Sequence, residues 1–216
     1  MGLLKEEDKA QIKDMFASKM KNPVSIEFFT GGKGCEYCAD TLMILKEVSE
    51  LDDRINLIVH EKENQEHSLA FTKFQVDKTP AYTIVRDGKD YGFRYFGIPS
   101  GYEFSTLLED IMLVSSGEAE LSQDTLAKVS NLPSEVLIYV FITPTCPYCP
   151  RAAIMSHKLA FVSDKIKAHV VEAIEFPELS NRYGVSAVPK IVVNDKVQFE
   201  GALPETDFVS KVLEGL

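Results

Sequence analysis

All four cysteines of the chain lie in two Cys-x-x-Cys motifs, Cys35-Glu-Tyr-Cys38 (CEYC) and Cys146-Pro-Tyr-Cys149 (CPYC). Two thiols at this spacing can form and break a disulfide, and they can also bind a metal ion. In a reducing compartment such pairs are more often catalytic or metal-binding than structural. The duplicated motif therefore raises two interpretations, redox chemistry and metal binding, which the surrounding sequence helps to separate.

The sequence on either side of each motif predicts the elements that position the cysteines. Apolar segments rich in β-branched and aromatic residues precede the motifs, at 24–29 and 136–142, and predict buried strands. Amphipathic segments at 40–51 and 151–162 follow the motifs and predict helices. Each motif is therefore expected at a junction where a strand ends and a helix begins.

A cysteine at the start of a helix faces unpaired N–H groups and the positive end of the helix dipole, which stabilise a thiolate. The thiol pKa can then fall from about 8.5 into a range of roughly 3.5–7.5. Cys35 and Cys146 are therefore the predicted nucleophiles that attack substrate disulfides. Cys38 and Cys149, about one helical turn further on, are predicted to resolve the mixed disulfide.

The repetition extends well beyond the cysteines. The pattern aromatic-x-Val-x-x-x-Pro recurs at Phe74–Pro80 and Tyr183–Pro189, and each proline leads into two strands and a closing helix. The predicted order in each half is α-β-α-β-α-β-β-α, which requires a mixed sheet with helices on its faces. We therefore predict an α/β fold of two tandem units, residues 1–117 and 118–216, each with a mostly four-stranded mixed sheet.

These features together resemble the thioredoxin superfamily, in which a strand, a Cys-x-x-Cys at a helix start and a proline before a strand hairpin recur. The sequence CPYC is typical of glutaredoxins. Two such units in tandem look like the protein disulfide oxidoreductases of thermophilic prokaryotes, also called glutaredoxin-like proteins, and the resemblance covers nearly the whole chain. It implies two thioredoxin-like units with one redox-active disulfide each.

The resemblance also implies roles for residues outside the motifs. Pro80 and Pro189 would follow cis peptide bonds, and the backbone there would pair with an extended substrate segment. Thr79 and Val188, which precede the prolines, would influence the choice of substrate. The implied partners are protein thiols and disulfides and a thioredoxin reductase-type flavoenzyme, so NADPH would act only indirectly and no cofactor would be bound. A homodimer is left open.

The two motifs share a tyrosine, at Tyr37 and Tyr148, but differ in the residue that follows the first cysteine. Glu36 stands where the second motif has Pro147. A carboxylate beside Cys35 disfavours its thiolate, and the glycine-rich loop before Cys35 is predicted to be two residues longer than its counterpart. We therefore predict that Cys146 is the more acidic and more reactive thiol and that its disulfide is the more oxidising.

Glu27 is a further candidate, because it lies in the predicted strand before the first motif. With the longer loop taken into account, it aligns with a buried acid that many thioredoxin-like proteins have beneath the resolving cysteine. It would then accept the proton of Cys38, whereas the second half has Val140 at the aligned position. The alternative interpretation is that Glu27 faces solvent at an edge.

Composition excludes several other classes of function. The net charge of −10 argues against a nucleic-acid partner, which requires a basic face. No run of about 18 apolar residues predicts a membrane span, and the first residues do not form a signal peptide. The sequence therefore predicts a cytoplasmic protein with no membrane partner.

Three alternatives to a protein thiol–disulfide oxidoreductase remain. Four cysteines can form a structural zinc site, but zinc ribbons space their two pairs about 15–20 residues apart, and here the pairs are 111 residues apart. No metal is therefore expected. A glutathione-dependent glutaredoxin is favoured by CPYC and not by the tandem architecture. A non-catalytic binding module is disfavoured because neither motif has lost a cysteine.

Overall fold

The fold was determined as a computed structural model, which describes residues 4–216. The first half of the chain contains α1 (Glu6–Lys19), β1 (Val24–Thr30), α2 (Cys38–Ser49), β2 (Ile55–Glu61), α3 (Ser68–Lys73), β3 (Ala81–Val85), β4 (Phe93–Phe96) and α4 (Phe104–Ser116). The second half contains α5 (Gln123–Ser130), β5 (Val136–Ile142), α6 (Cys149–Val162), β6 (Ile166–Glu172), α7 (Pro177–Arg182), β7 (Lys190–Val193), β8 (Val197–Glu200) and α8 (Glu205–Glu214). This is the predicted order of elements in both halves.

By contacts, the chain forms two compact units. The first consists of residues 1–90, 96–99 and 111–117, and the second of residues 91–95, 100–110 and 118–216. Residues 1–3 of the first range lie outside the described residues. The predicted boundary at residue 117 concerns the repeated sequence units, and it stays a prediction.

In the first unit, β1 is the central strand. It pairs in parallel with β2 and antiparallel with β3. Both faces of β1 are covered, because five of its seven residues are buried, as its apolar sequence predicts. Phe16 of α1 and Leu45 of α2 are fully buried in this unit. Leu45 lies in the segment 40–51, whose amphipathic pattern predicts a helix with one buried face.

In the second unit, β5 is the corresponding central strand. It pairs in parallel with β6 and antiparallel with β7, and β7 pairs antiparallel with β8. The residues at 91–95 belong to this unit, and the N–H of Ala168 in β6 donates to the carbonyl of Gly92. The combination of parallel and antiparallel pairs confirms the predicted mixed α/β fold. No helix among residues 4–216 is long and apolar enough to cross a lipid bilayer.

Candidate active sites

Both Cys-x-x-Cys motifs form disulfides at the start of a helix. Cys35 is bonded to Cys38, the first residue of α2, and Cys146 is bonded to Cys149, the first residue of α6. Each first cysteine lies in the loop that joins the central strand to the helix. The second cysteines are the more deeply buried, with exposed fractions of 4% and 0%. This is the arrangement that a nucleophilic and a resolving cysteine require.

The backbone amides near the two disulfides point at different sulfurs. In the CPYC site, the N–H of Cys149 donates to Sγ of Cys146 at 3.2 Å. In the CEYC site, the N–H of Gly31 donates to Sγ of Cys38 at 3.3 Å. An amide that donates to sulfur stabilises the thiolate more than the thiol. The CPYC backbone therefore favours a thiolate on its first cysteine, and the CEYC backbone favours one on its second.

A cis peptide bond precedes the proline beside each motif, at Thr79–Pro80 and Val188–Pro189. The carbonyl oxygen of Val188 lies 3.6 Å from Sγ of Cys146. In the other site, a Cβ atom built on Gly31 would overlap Oγ1 of Thr79. Both cis-proline loops thus lie directly against the cysteine loops, although their role in binding substrate stays a prediction.

The registers of the two central strands correct the predicted loop lengths. Val24 pairs with Ile55 at the start of β1, and Val136 pairs with Ile166 at the start of β5. Both strands have seven residues, so four residues (31–34) precede Cys35 and three (143–145) precede Cys146. The prediction of a loop two residues longer is therefore wrong, since the difference is one residue.

This single residue changes the interpretation of Glu27. In the strand registers Glu27 corresponds to Tyr139, so the predicted equivalence with Val140 is wrong. Because side chains alternate along a strand, a shift of one position moves a residue to the other face of the sheet. Glu27 lines a cavity with Ala70 of α3, whereas Cys38 lines a different cavity with Val59 of β2.

Glu27 is buried, with 8% of its surface exposed, so the solvent-facing alternative does not describe it. Its Oε2 lies 2.5 Å from Nε2 of His60, whose ring stacks on Phe29. The partner that the structure gives Glu27 is thus an imidazole on the α3 side of β1. The predicted transfer of a proton from Cys38 to Glu27 stays a prediction.

The residues between the cysteines differ in exposure. Tyr148 is 63% exposed, and Glu36 and Pro147 are also exposed, whereas Tyr37 is partly buried. A large exposed aromatic ring beside Cys146 can pack against a substrate. In CEYC the equivalent Tyr37 is less exposed, and the exposed group between the cysteines is the Glu36 carboxylate.

Sequence reasoning missed a buried carboxyl group near the CPYC site. Glu103 ends a short 3₁₀ turn that contacts α6, and the N–H of Tyr102 in this turn donates to the carbonyl of Pro144 at 2.9 Å. Glu103 is fully buried, and burial raises its pKa to about 8. Its Oε2 accepts from Thr106 Oγ1 at 2.8 Å, whereas its Oε1 has no hydrogen-bond partner among the described residues.

A second buried carboxyl group, Glu172, ends β6. Its Oε2 accepts the N–H of Glu175 at 2.6 Å, and burial raises its pKa above the usual value. The sequence gives only a weak signal for either residue, since each is an acid beside an apolar segment. Among residues 4–216, no cluster of three or more potential ligands could hold a metal ion.

Comparisons with known proteins agree with this geometry. The family model described as Thioredoxin domain matches residues 136–214. The solved structure of a protein disulfide oxidoreductase from Aeropyrum pernix K1 superposes with a TM-score of 0.90 at 32% identity, over 97% of this chain and 92% of that chain. The thioredoxin-like fold class is thereby confirmed.

Two further proteins are similar to this chain over most of its length, one in structure and one in sequence. The alkylhydroperoxide reductase AhpF from Enterococcus faecalis superposes with a TM-score of 0.89 at 23% identity, over 97% of this chain and 99% of that chain. A curated relative, an alkyl hydroperoxide reductase component of Staphylococcus aureus, is 25% identical over 210 residues, which are 97% of this chain and 38% of the relative. The chain thus spans about two fifths of that relative's length.

Proposed function

The chain belongs to the protein disulfide oxidoreductase family, and from this premise we propose that it reduces, forms or isomerises disulfides in other proteins through mixed disulfides at both Cys-x-x-Cys sites. One observation carries the proposal: in each half, a disulfide at a helix start lies against a cis-proline loop. The cysteine pair can supply the attacking and resolving thiolates, and the backbone of the cis-proline loop can pair with an extended polypeptide segment.

In the reducing direction, the thiolate of Cys146 attacks one sulfur of a substrate disulfide. The substrate S–S bond breaks, a mixed disulfide forms, and the first substrate sulfur leaves as a thiolate that takes up a proton. The thiolate of Cys149 then attacks Sγ of Cys146 and displaces the second substrate sulfur. The substrate gains two electrons, the CPYC pair is oxidised, and the reverse sequence forms a substrate disulfide.

A dithiol donor must supply two electrons to restore the reduced pair. We propose a thioredoxin reductase-type flavoenzyme as this donor, with NADPH as the distant source. The same steps apply to Cys35 and Cys38, with the first sulfur as nucleophile.

Insulin reduction and the refolding of scrambled ribonuclease test the proposal. The wild type, the C35S/C38S variant, the C146S/C149S variant and the variant that lacks all four cysteines are compared. We expect each double variant to retain part of the activity and the fourfold variant to have none. Activity of the fourfold variant equal to that of the wild type would contradict an oxidoreductase function.

A further inference from the structure

A cavity of about 450 Å³ opens beside the CEYC disulfide, within the first compact unit. Cys35 and Cys38 both line it. Its apolar wall is formed by Leu42 of α2 and Val59 of β2. A molecule in this cavity therefore contacts the cysteine pair directly.

The cavity lies on the opposite flank of the disulfide from the cis-proline loop. The central strand β1 leads to Cys35, with β2 on one side and β3 on the other. The cavity is lined by Val59 and Glu61 of β2, whereas Pro80 directly precedes β3. An extended polypeptide that pairs with the cis-proline loop would leave this second approach to the sulfurs unused.

The size of the cavity indicates a small ligand. Protein sites for small molecules have volumes of roughly 300–1,000 Å³, and this one lies near the lower end of that range. It reaches Cys38, of which only 4% is exposed. A compact disulfide can enter such a space, whereas a folded protein loop cannot follow it inward.

The charged groups that line the cavity are mainly acidic. Glu61 and Glu63 provide two carboxylates, and Lys33 provides one ammonium group. Gly32 has a φ of +69°, and a Cβ atom there would lie 2.9 Å from Oε1 of Glu63. The glycine thus allows the Glu63 carboxylate to lie close against the loop, and the exposed Glu36 adds another negative charge nearby.

The second unit differs at the equivalent position. Thr30 pairs with Glu61 at the end of β1, and Ile142 pairs with Glu172 at the end of β5. Glu61 is exposed, whereas Glu172 is 2% exposed and accepts a backbone N–H in the turn after β6. The end of β2 therefore presents an exposed carboxylate beside CEYC, whereas the carboxyl group at the end of β6 is buried beside CPYC.

We propose that the CEYC site takes low-molecular-weight disulfides that carry ammonium groups, bound in this cavity through Glu61 and Glu63. The inference rests on the proposed function. The Cys35 thiolate attacks one sulfur of R–S–S–R and releases RS⁻, which is protonated by water. The Cys38 thiolate then attacks Sγ of Cys35 and releases the second RS⁻. Two electrons pass from the CEYC dithiol to the small disulfide.

The test measures single-turnover oxidation of the reduced C146S/C149S variant, which retains only CEYC. Cystamine, which carries two ammonium groups, is compared with oxidised glutathione, which carries a net negative charge. Samples are quenched in acid and the remaining thiols are alkylated. The fraction of protein with an oxidised cysteine pair is then measured by mass spectrometry. The C35S/C38S variant, which retains only CPYC, gives the reference ratio of the two rate constants. Dividing the CEYC ratio by this reference removes the difference in intrinsic reactivity between the two probes.

We expect the ratio of the cystamine to the glutathione disulfide rate constant to be about tenfold higher for CEYC than for CPYC, and to fall with added salt. In the CEYC-only background, E61Q/E63Q is expected to lower the ratio about fivefold to tenfold, because it removes two exposed ion pairs with the ammonium groups of cystamine. The control E50Q/D53N removes two exposed carboxylates outside the cavity and is expected to change the ratio less than twofold.

The outcomes separate this inference from the proposed function. If CEYC reduces insulin but shows the same ratio as CPYC, or if E61Q/E63Q leaves the ratio unchanged, the inference is wrong and the proposed function stands. If the CEYC-only variant reacts with neither insulin nor the two small disulfides, the proposed function of this site fails, and the inference fails with it.

Discussion

The CEYC and CPYC sites share a backbone plan and differ in where hydrogen bonds and charges are placed. The amide that reaches the CPYC disulfide donates to the first sulfur, that of Cys146, whereas the amide that reaches the CEYC disulfide donates to the second, that of Cys38. The loop before Cys35 is longer by one residue. Tandem copies of one fold can thus differ in the sulfur they stabilise while the strand, helix and cis-proline stay in place.

The carboxyl groups near the two sites differ in the same way. Glu61 and Glu63 beside CEYC are exposed and can contact a ligand. Glu103 and Glu172 in the second unit are buried, each with one oxygen that has no hydrogen-bond partner among the described residues. The exposed carboxylates beside CEYC can therefore attract or repel an approaching ligand. The buried carboxyl groups of the second unit instead have raised pKa values and hold protons more tightly.

The largest expected effect comes from Glu103. Its folded pKa is about 8 against an ordinary value of 4.5, so between these values the folded protein holds a proton that the unfolded chain has lost. Stability therefore falls as pH rises from about 4.5 to 8. Between pH 5 and pH 9, Glu103→Gln should gain roughly 2–5 kcal/mol relative to the wild type, at about 1.4 kcal/mol per pKa unit. Urea unfolding at both pH values measures this.

The control for Glu103 is Glu135→Gln, which changes an exposed carboxylate of the same unit. Its stability relative to the wild type should be independent of pH within about 0.5 kcal/mol. A pH dependence for Glu103→Gln no larger than this would show that Glu103 is ionised in the folded protein at neutral pH.

The next largest effect is expected from a substitution that disturbs the CPYC loop and not the CEYC loop. Gly101 has a φ of +59°, and a Cβ atom there would overlap the carbonyl of Pro144 in the CPYC loop. Gly101→Ala should cost roughly 1–3 kcal/mol of unfolding free energy and slow exchange at CPYC. Gly34→Ala, in the CEYC loop, is the matched control, because its Cβ atom meets no atom within 4 Å. Equal effects of the two substitutions would exclude the contact between Gly101 and Pro144 as the cause.

The reactivity of the two first cysteines should differ by a smaller factor. A hydrogen bond to a charged acceptor contributes about 1.5 kcal/mol or more, so alkylation of Cys146 at pH 6 should be about tenfold faster than that of Cys35. The C38S/C149S variant, which retains only the first cysteines, allows both rates to be measured by peptide mass spectrometry with iodoacetamide. A faster reaction at Cys35 would reverse the comparison.

The smallest effect concerns the exposed residue between the first pair of cysteines. Glu36→Gln removes a carboxylate beside Cys35 and should lower the thiol pKa of Cys35. The alkylation rate at pH 6 should rise by less than about threefold, since solvent and salt screen an exposed charge. The pH dependence of alkylation in the C38S/C149S background measures the shift. Glu50→Gln, just beyond the other end of α2, should leave the pKa unchanged; an equal shift there would mean that Glu36 has no specific effect.

Local sequence was sufficient to predict much of the fold. The apolar segment 136–142 coincides with β5, and the segments that follow the two prolines coincide with β3 and β7. These predictions succeed because strand periodicity and proline restriction are local properties. β6 ends at Glu172, whose carboxylate accepts the N–H of Glu175 in the turn that follows, and strand periodicity alone does not specify this contact.

The parts of the sites that the sequence could not predict depend on tertiary contacts. Glu103 is far from either motif in the chain, and the short turn that it ends contacts α6 in the folded protein. Glu27 was aligned by loop length alone, and an error of one residue placed it on the wrong face of β1. Neither the burial of a carboxyl group nor the register of a strand is fixed by local sequence.

We propose that the two copies serve different redox tasks and that the CPYC disulfide is the more oxidising. The most direct test of this proposal is the reduction potential of each disulfide, measured against glutathione redox buffers in the C35S/C38S and C146S/C149S variants. We expect a less negative potential for CPYC, since Glu36 disfavours a thiolate on Cys35 and no carboxylate stands at the matching Pro147. Equal potentials, or a less negative potential for CEYC, would contradict the account.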